Sequence, residues 1–122
     1  MNSVMVNKSK AFAIRTIKLY KHLKDNKQEF VISKQLLRSG TSIGANIAES
    51  RYAASKSDFT NKLSIALKEA NESEYWLELL YETDYIDKKE FDSLISDIRE
   101  LLKLLIASIK TSKIIKSERS DQ

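Results

Sequence analysis

Gln35 to Ser50 reads QLLRSGTSIGANIAES, and it decides the fold. The stretch holds both glycines of a 122-residue chain that has no proline, so the backbone has few other places to depart from regular structure. Leu36, Gly40, Ile43, Gly44, Ile47 and Ala48 recur at three- and four-residue spacing, which places them on one face of a helix. Gly40, Gly44 and Ala48 then form a ridge with little or no side chain. A glycine inside a helix costs about 1 kcal/mol relative to alanine, and close approach of a second helix is the commoner compensation. The ridge therefore reads first as a packing surface and only second as a ligand contact.

The polar side of the same helix is unusual. Arg38, Ser42, Asn46 and Glu49 follow at offsets of four, four and three, on one stripe. With Ser39, Thr41 and Ser50 they are mostly short hydrogen-bonding residues, where a solvated helix would carry Lys and Glu. Such a stripe belongs against another helix, another subunit or a ligand.

Hydrophobic periodicity along the rest of the chain predicts an all-α fold, an up-down-up-down antiparallel four-helix bundle in one domain spanning residues 1–122. The first helix is expected at about 9–24, with Phe12, Ala13, Ile17, Tyr20 and Leu23 as its buried stripe. DNKQE (25–29) is a polar connector. The second helix should span about 31–53. Ser55-Lys56-Ser57-Asp58 has the form of a helix start, opening a third helix at about 56–83. Phe59, Leu63, Ala66, Leu67, Ala70, Leu77 and Leu80 make its stripe, and Trp76 and Leu79 widen it. Asp87 to Glu90 resembles a capping box before a fourth helix at about 88–115. Phe91, Leu94, Ile95, Ile98, Leu101, Leu102, Leu105 and Ile109 supply its core face. Leu104 and Ile106 fall outside that face, a surplus that points to a subunit interface. Lys116 to Gln122 reads as a frayed polar tail.

The net charge of +4 conceals blocks. Residues 1–68 carry 13 basic and 4 acidic side chains (net +9), residues 69–100 carry 3 and 11 (net −8), and residues 101–122 carry 5 and 2 (net +3). Such blocks steer an anionic partner to the basic part, or let acidic and basic surfaces of neighbouring subunits meet. Arg15, Lys18, Lys21, Lys24, Lys110 and Lys113, with Lys116, are the candidate phosphate contacts. Only Tyr20 and Tyr52 lie near these basic surfaces, so no base-stacking platform is evident.

Catalytic and metal chemistry finds little support. The chain has one histidine and no cysteine, so a di-metal bundle site and a Ser/His/Asp triad both lack parts. His22 reads as a solvated surface residue. Glu69 and Glu72 share a helix face and should pair with Arg38 or Lys62 as a structural network rather than act as acid and base. Ser39-Gly40-Thr41-Ser42 lacks the strand, the glycine count and the lysine of a phosphate loop. No enzyme activity, cofactor or metal is expected. No apolar run approaches the ~20 residues that span a bilayer, and no secretory leader is recognisable, so the expected compartment is the cytoplasm, without membrane contact.

At QLLRSGTSIGANIAES the chain resembles the bacterial four-helix-bundle proteins encoded by intervening sequences of 23S ribosomal RNA genes. The similarity continues through Lys62 to Ala70 (KLSIALKEA) and Glu74 to Leu77 (EYWL). The same family fold includes the accessory variability protein of diversity-generating retroelements. The resemblance implies a ring-like homopentamer and no catalytic activity. It also implies, for one relative, binding of nucleic acid and a reverse transcriptase through a basic surface. Its motif residues here are Arg38, Ser39, Gly40, Ser42, Gly44, Asn46 and Glu49, with Lys62, Lys68 and Glu69. The reading that results is a non-enzymatic homo-oligomer that binds structured RNA or a ribonucleoprotein by electrostatics. The alternative is a protein-interaction scaffold with no nucleic-acid role.

Overall fold

The computed structural model describes residues 3–120, with side chains described as far as Ile114. Four helices follow one another: α1 (Ser3–Lys27), α2 (Ile32–Ser50), α3 (Lys56–Glu82) and α4 (Lys88–Ser120). Each packs against its neighbour in sequence, and α1 closes on α4 along the slightest of the four seams. Cross-links fix the antiparallel order. Ser9 and Thr16 of α1 lie against Gly44 and Gly40 of α2, respectively. Glu49 and Arg38 of α2 reach Lys62 and Glu72 of α3. Thr60 and Glu74 of α3 meet Ser112 and Arg99 of α4. The chain is the expected up-down-up-down bundle.

The core runs the length of the bundle, with Leu36, Ile43, Ile47, Leu63, Leu77, Leu80, Leu94, Ile98 and Leu101 all essentially sealed from solvent. Each fully buried aliphatic side chain of this kind contributes about 1.5–3 kcal/mol. Trp76 and Leu104 pack against this core, so half of the apparent apolar surplus is intrachain packing. Leu79 is half-buried and Ile106 remains exposed.

The first helix departs most from its sequence reading. It begins at Ser3 rather than near residue 9, and its buried line is Met5, Ser9, Phe12, Thr16, Leu19 and Leu23. Ile17 is exposed and Tyr20 and Ala13 are half-buried. The reason is Thr16 and Ser9: their hydroxyls turn back on the carbonyls of Ala13 (2.8 Å) and Val6 (2.9 Å). Two polar residues thus sit at core positions without unmet hydrogen bonds, which is why apolar periodicity alone places Ile17 on that face.

The helix ends are built without glycine. Gln28 and Asp84 take left-handed backbone (φ 52° and 64°), and the returning amides of Glu29 and Tyr85 bond Leu23 O and Leu80 O. The connector is more than polar filler. Glu29 is buried, and its carboxylate accepts from the amides of Val31 (2.9 Å), Ile32 (3.1 Å) and Ser33 (2.7 Å), satisfying the free N–H groups that open α2. α2 ends at Ser50, three residues before Ala53; the amides of Arg51, Tyr52 and Ala53 instead bond the carbonyls three residues back. Ser55 caps α3 through the Asp58 amide (3.0 Å), and Asp87 caps α4 through the Glu90 amide (2.8 Å), as expected. α4 continues in helix to Ser120, beyond the expected fraying point; side chains from residue 115 onward, Lys116 included, lie outside the described residues.

Candidate nucleic-acid interface

The signature stripe of α2 faces α3. Ser39 is buried, and its hydroxyl meets that of Ser73 at 2.8 Å. Ser42 and Asn46 bond carbonyls of their own helix, those of Arg38 (2.7 Å) and Ser42 (2.8 Å). Arg38 pairs with Glu69 (3.1 Å) and with Glu72, and Glu49 pairs with Lys62 (3.2 Å). Lys68 is exposed and has no ion-pair partner among the described residues. The stripe thus makes its contacts within one chain, with one buried hydroxyl pair and two ion-paired ends.

The two glycines, treated alike in the sequence, differ in the structure. A Cβ on Gly40 would fall 2.6 Å from Thr16 Cγ2, whereas one on Gly44 would lie 3.4 Å from Ser9 Oγ. Gly40 is the position where α1 and α2 need an absent side chain. Ala48, third on the ridge, is exposed.

The charge blocks are resolved largely inside the bundle. Arg15 bonds Asp97 (2.8 Å) and Ser93 (3.0 Å) and lies 3.9 Å from Glu90; Lys8 pairs with Glu100 (3.0 Å). Arg99 pairs with Glu74 (3.0 Å), and Lys88 with Asp92 (2.6 Å). Lys88 is held above its ordinary value chiefly by its hydrogen bond to Asp92. Each exposed pair is worth only about 0–1 kcal/mol, yet together they occupy much of the acidic block. Arg15, grouped with the lysines in the sequence, is therefore tied to α4. Lys18, Lys21, Lys24, Lys110 and Lys113 remain exposed, without ion-pair partners among the described residues.

His22 is exposed, its Nδ1 2.9 Å from Asn26 Nδ2. Among the described residues no group of His, Asp or Glu side chains is placed to hold a metal ion, and no helix is long and apolar enough to cross a membrane.

The sequence and the fold find a match among known proteins. Residues 1–107 match the family described as 23S rRNA-intervening sequence protein. The chain belongs to this family. A structural neighbour from the S23 ribosomal protein family, a protein of unknown function from Bacteroides thetaiotaomicron VPI-5482 solved at 1.70 Å, is 57% identical. The alignment covers 88% of this chain and 96% of that one, with a TM-score of 0.87. No curated protein matches the chain.

Proposed function

We propose that this family member is a non-catalytic protein that binds structured RNA or a ribonucleoprotein through its unpaired lysines. One observation carries the reading. Intrachain pairs occupy Glu69, Glu72, Glu74, Glu90, Asp92, Asp97 and Glu100, while Lys18, Lys21, Lys24, Lys110 and Lys113 stand exposed without ion-pair partners among the described residues. Much of the repulsion that an acidic half would exert on phosphates is thereby neutralised at short range, and free cations are left on the outside. Lysines on a rigid bundle suit the backbone contacts that dominate such affinity and do not read sequence.

Binding of a labelled structured RNA, followed by anisotropy across a salt series, tests the proposal. Affinity should fall steeply as salt rises. Tight binding insensitive to salt, or none at low salt, contradicts it.

A second reading is a scaffold that acts through homo-oligomerisation, with a pentamer as the assembly proposed. What favours it is apolar surface left outside: Ile14 and Ile17 on α1, and Ile106 and Ile114 on α4. Light scattering after gel filtration decides the assembly, since a monomer at micromolar concentration removes this reading.

A further inference from the structure

At the end formed by the α2–α3 connection and the C-terminal part of α4, Arg51 precedes Tyr52 in the chain and Lys56 follows it by four residues, and Lys110 and Lys113 lie on α4. All four cations are exposed and unpaired among the described residues. Among the described residues, the two acidic side chains of this end are already engaged. Glu49 holds Lys62, and Asp58 accepts from the Ala54 amide at 3.2 Å. At the opposite end exposed lysines are interleaved with exposed acids, Lys24, Lys27, Lys88 and Lys89 with Asp25, Glu82 and Asp84, and the exposed aromatics there, Phe30 (55%) and Tyr85 (37%), are less open than Tyr52.

Tyr52 is 87% exposed, the highest value among the exposed large hydrophobic and aromatic side chains. Nothing in the core requires it, because the α2 helix has already ended at Ser50. The surface beside it is concave. One groove opens between Arg51, Ala53 and Lys56, and a second continues from Lys56 and Phe59 to Ala107 and Thr111. The Lys56 ammonium stands 6.0 Å from the centre of the half-buried Phe59 ring.

From these observations we infer that this end is a site for an unpaired stretch of RNA, with one base stacked on Tyr52 and the adjoining phosphates held by Arg51 and Lys56. The inference rests on the RNA-binding reading and assigns it a ligand class. An exposed aromatic ring with a cation one residue before it and another four residues after it, and a groove lined by those same two cations, suits the base and the sugar-phosphate chain of a single strand. A duplex keeps its base faces stacked inside and offers Tyr52 nothing to stack on. Sequence alone placed Tyr52 near basic residues without a platform; what it lacked was the near-complete exposure of the ring and the groove beside it.

The test compares a fluorescein-labelled oligouridine of about 12 nucleotides, within the range of single-strand site sizes, with an RNA duplex of the same length. The proteins are the parent, Tyr52→Ala, Tyr52→Phe and Arg51→Ala, each checked for an unchanged thermal melt. Tyr52→Ala should weaken oligouridine binding about 5- to 150-fold, the value of one stacked base, and leave the salt slope and the duplex affinity as in the parent. Tyr52→Phe should bind like the parent, and Arg51→Ala should lower the salt slope by about one. If the parent binds RNA in a salt-dependent way and Tyr52→Ala binds oligouridine equally well, the stacking site is overturned and the broader RNA-binding proposal stands. If the parent binds neither RNA at low salt, both fall.

Discussion

Gly40 and Thr16 are a matched pair: a Cβ added to Gly40 would sit 2.6 Å from Thr16 Cγ2, inside any permitted contact. Thr16 cannot easily yield. It is fully buried, and its hydroxyl is fixed to Ala13 O at 2.8 Å. Alanine at position 40 gains about 1 kcal/mol of helix propensity but meets an overpacking penalty of about 1–3 kcal/mol. Gly40→Ala should therefore lower stability in a urea titration, and pairing it with Thr16→Ser, which removes the clashing methyl, should recover part of the loss.

Gly44→Ala has the opposite sign. The added methyl meets Ser9 Oγ at 3.4 Å, ordinary contact, so the propensity gain of up to about 1 kcal/mol should appear as a higher melting temperature. Gly44→Leu exceeds that space and should destabilise by about 1–3 kcal/mol.

The division between what the sequence reveals and what it hides follows the same line. Helical spacing, the Ser55 and Asp87 caps and the stripe of Arg38, Ser42, Asn46 and Glu49 all depend on local chemistry, and four helices in order can be read from them. The α1 face could not be read that way, since Ser9 and Thr16 are polar residues whose burial is decided by the glycines opposite. Equally hidden was the removal of Arg15 from the basic set, because Asp97 lies 82 positions away in the chain. The Arg38–Glu69–Glu72 cluster was legible in outline, as carboxylates one helical turn apart facing a nearby arginine.

Glu29 makes the bundle sensitive to acid. Burial raises its pKa, but the three amide hydrogen bonds outweigh burial and hold the carboxyl below its ordinary value of 4.5. A group depressed in the folded state contributes stability above the unfolded value and loses it as pH falls through the folded one. The parent should lose stability below pH 4.5, and Glu29→Gln should be less stable at pH 7 by about 0.5–2 kcal/mol, the range for a lost helix cap. Its stability should also decline less between pH 7 and the acid limb, readable in denaturant titrations at several pH values.

Gln28 holds left-handed backbone at φ 52°, where an L side chain is disfavoured by about 1–2 kcal/mol. Gln28→Gly removes that cost but adds chain entropy to the unfolded state. A net gain of roughly 0.5–1 kcal/mol is expected, measured as a rise in the urea midpoint with the slope unchanged.

Exposed lysines without ion-pair partners among the described residues are the proposed means of RNA binding, and the salt slope of binding measures them most directly. The parent and a Lys110→Ala/Lys113→Ala variant would be titrated with one structured RNA, and log K plotted against log salt. The expected result is a steep negative slope for the parent that becomes shallower by about 1.4–1.8 in the variant, two phosphate contacts at roughly 0.7–0.9 each. A parent slope near zero, or equal slopes for the two proteins, would contradict the account.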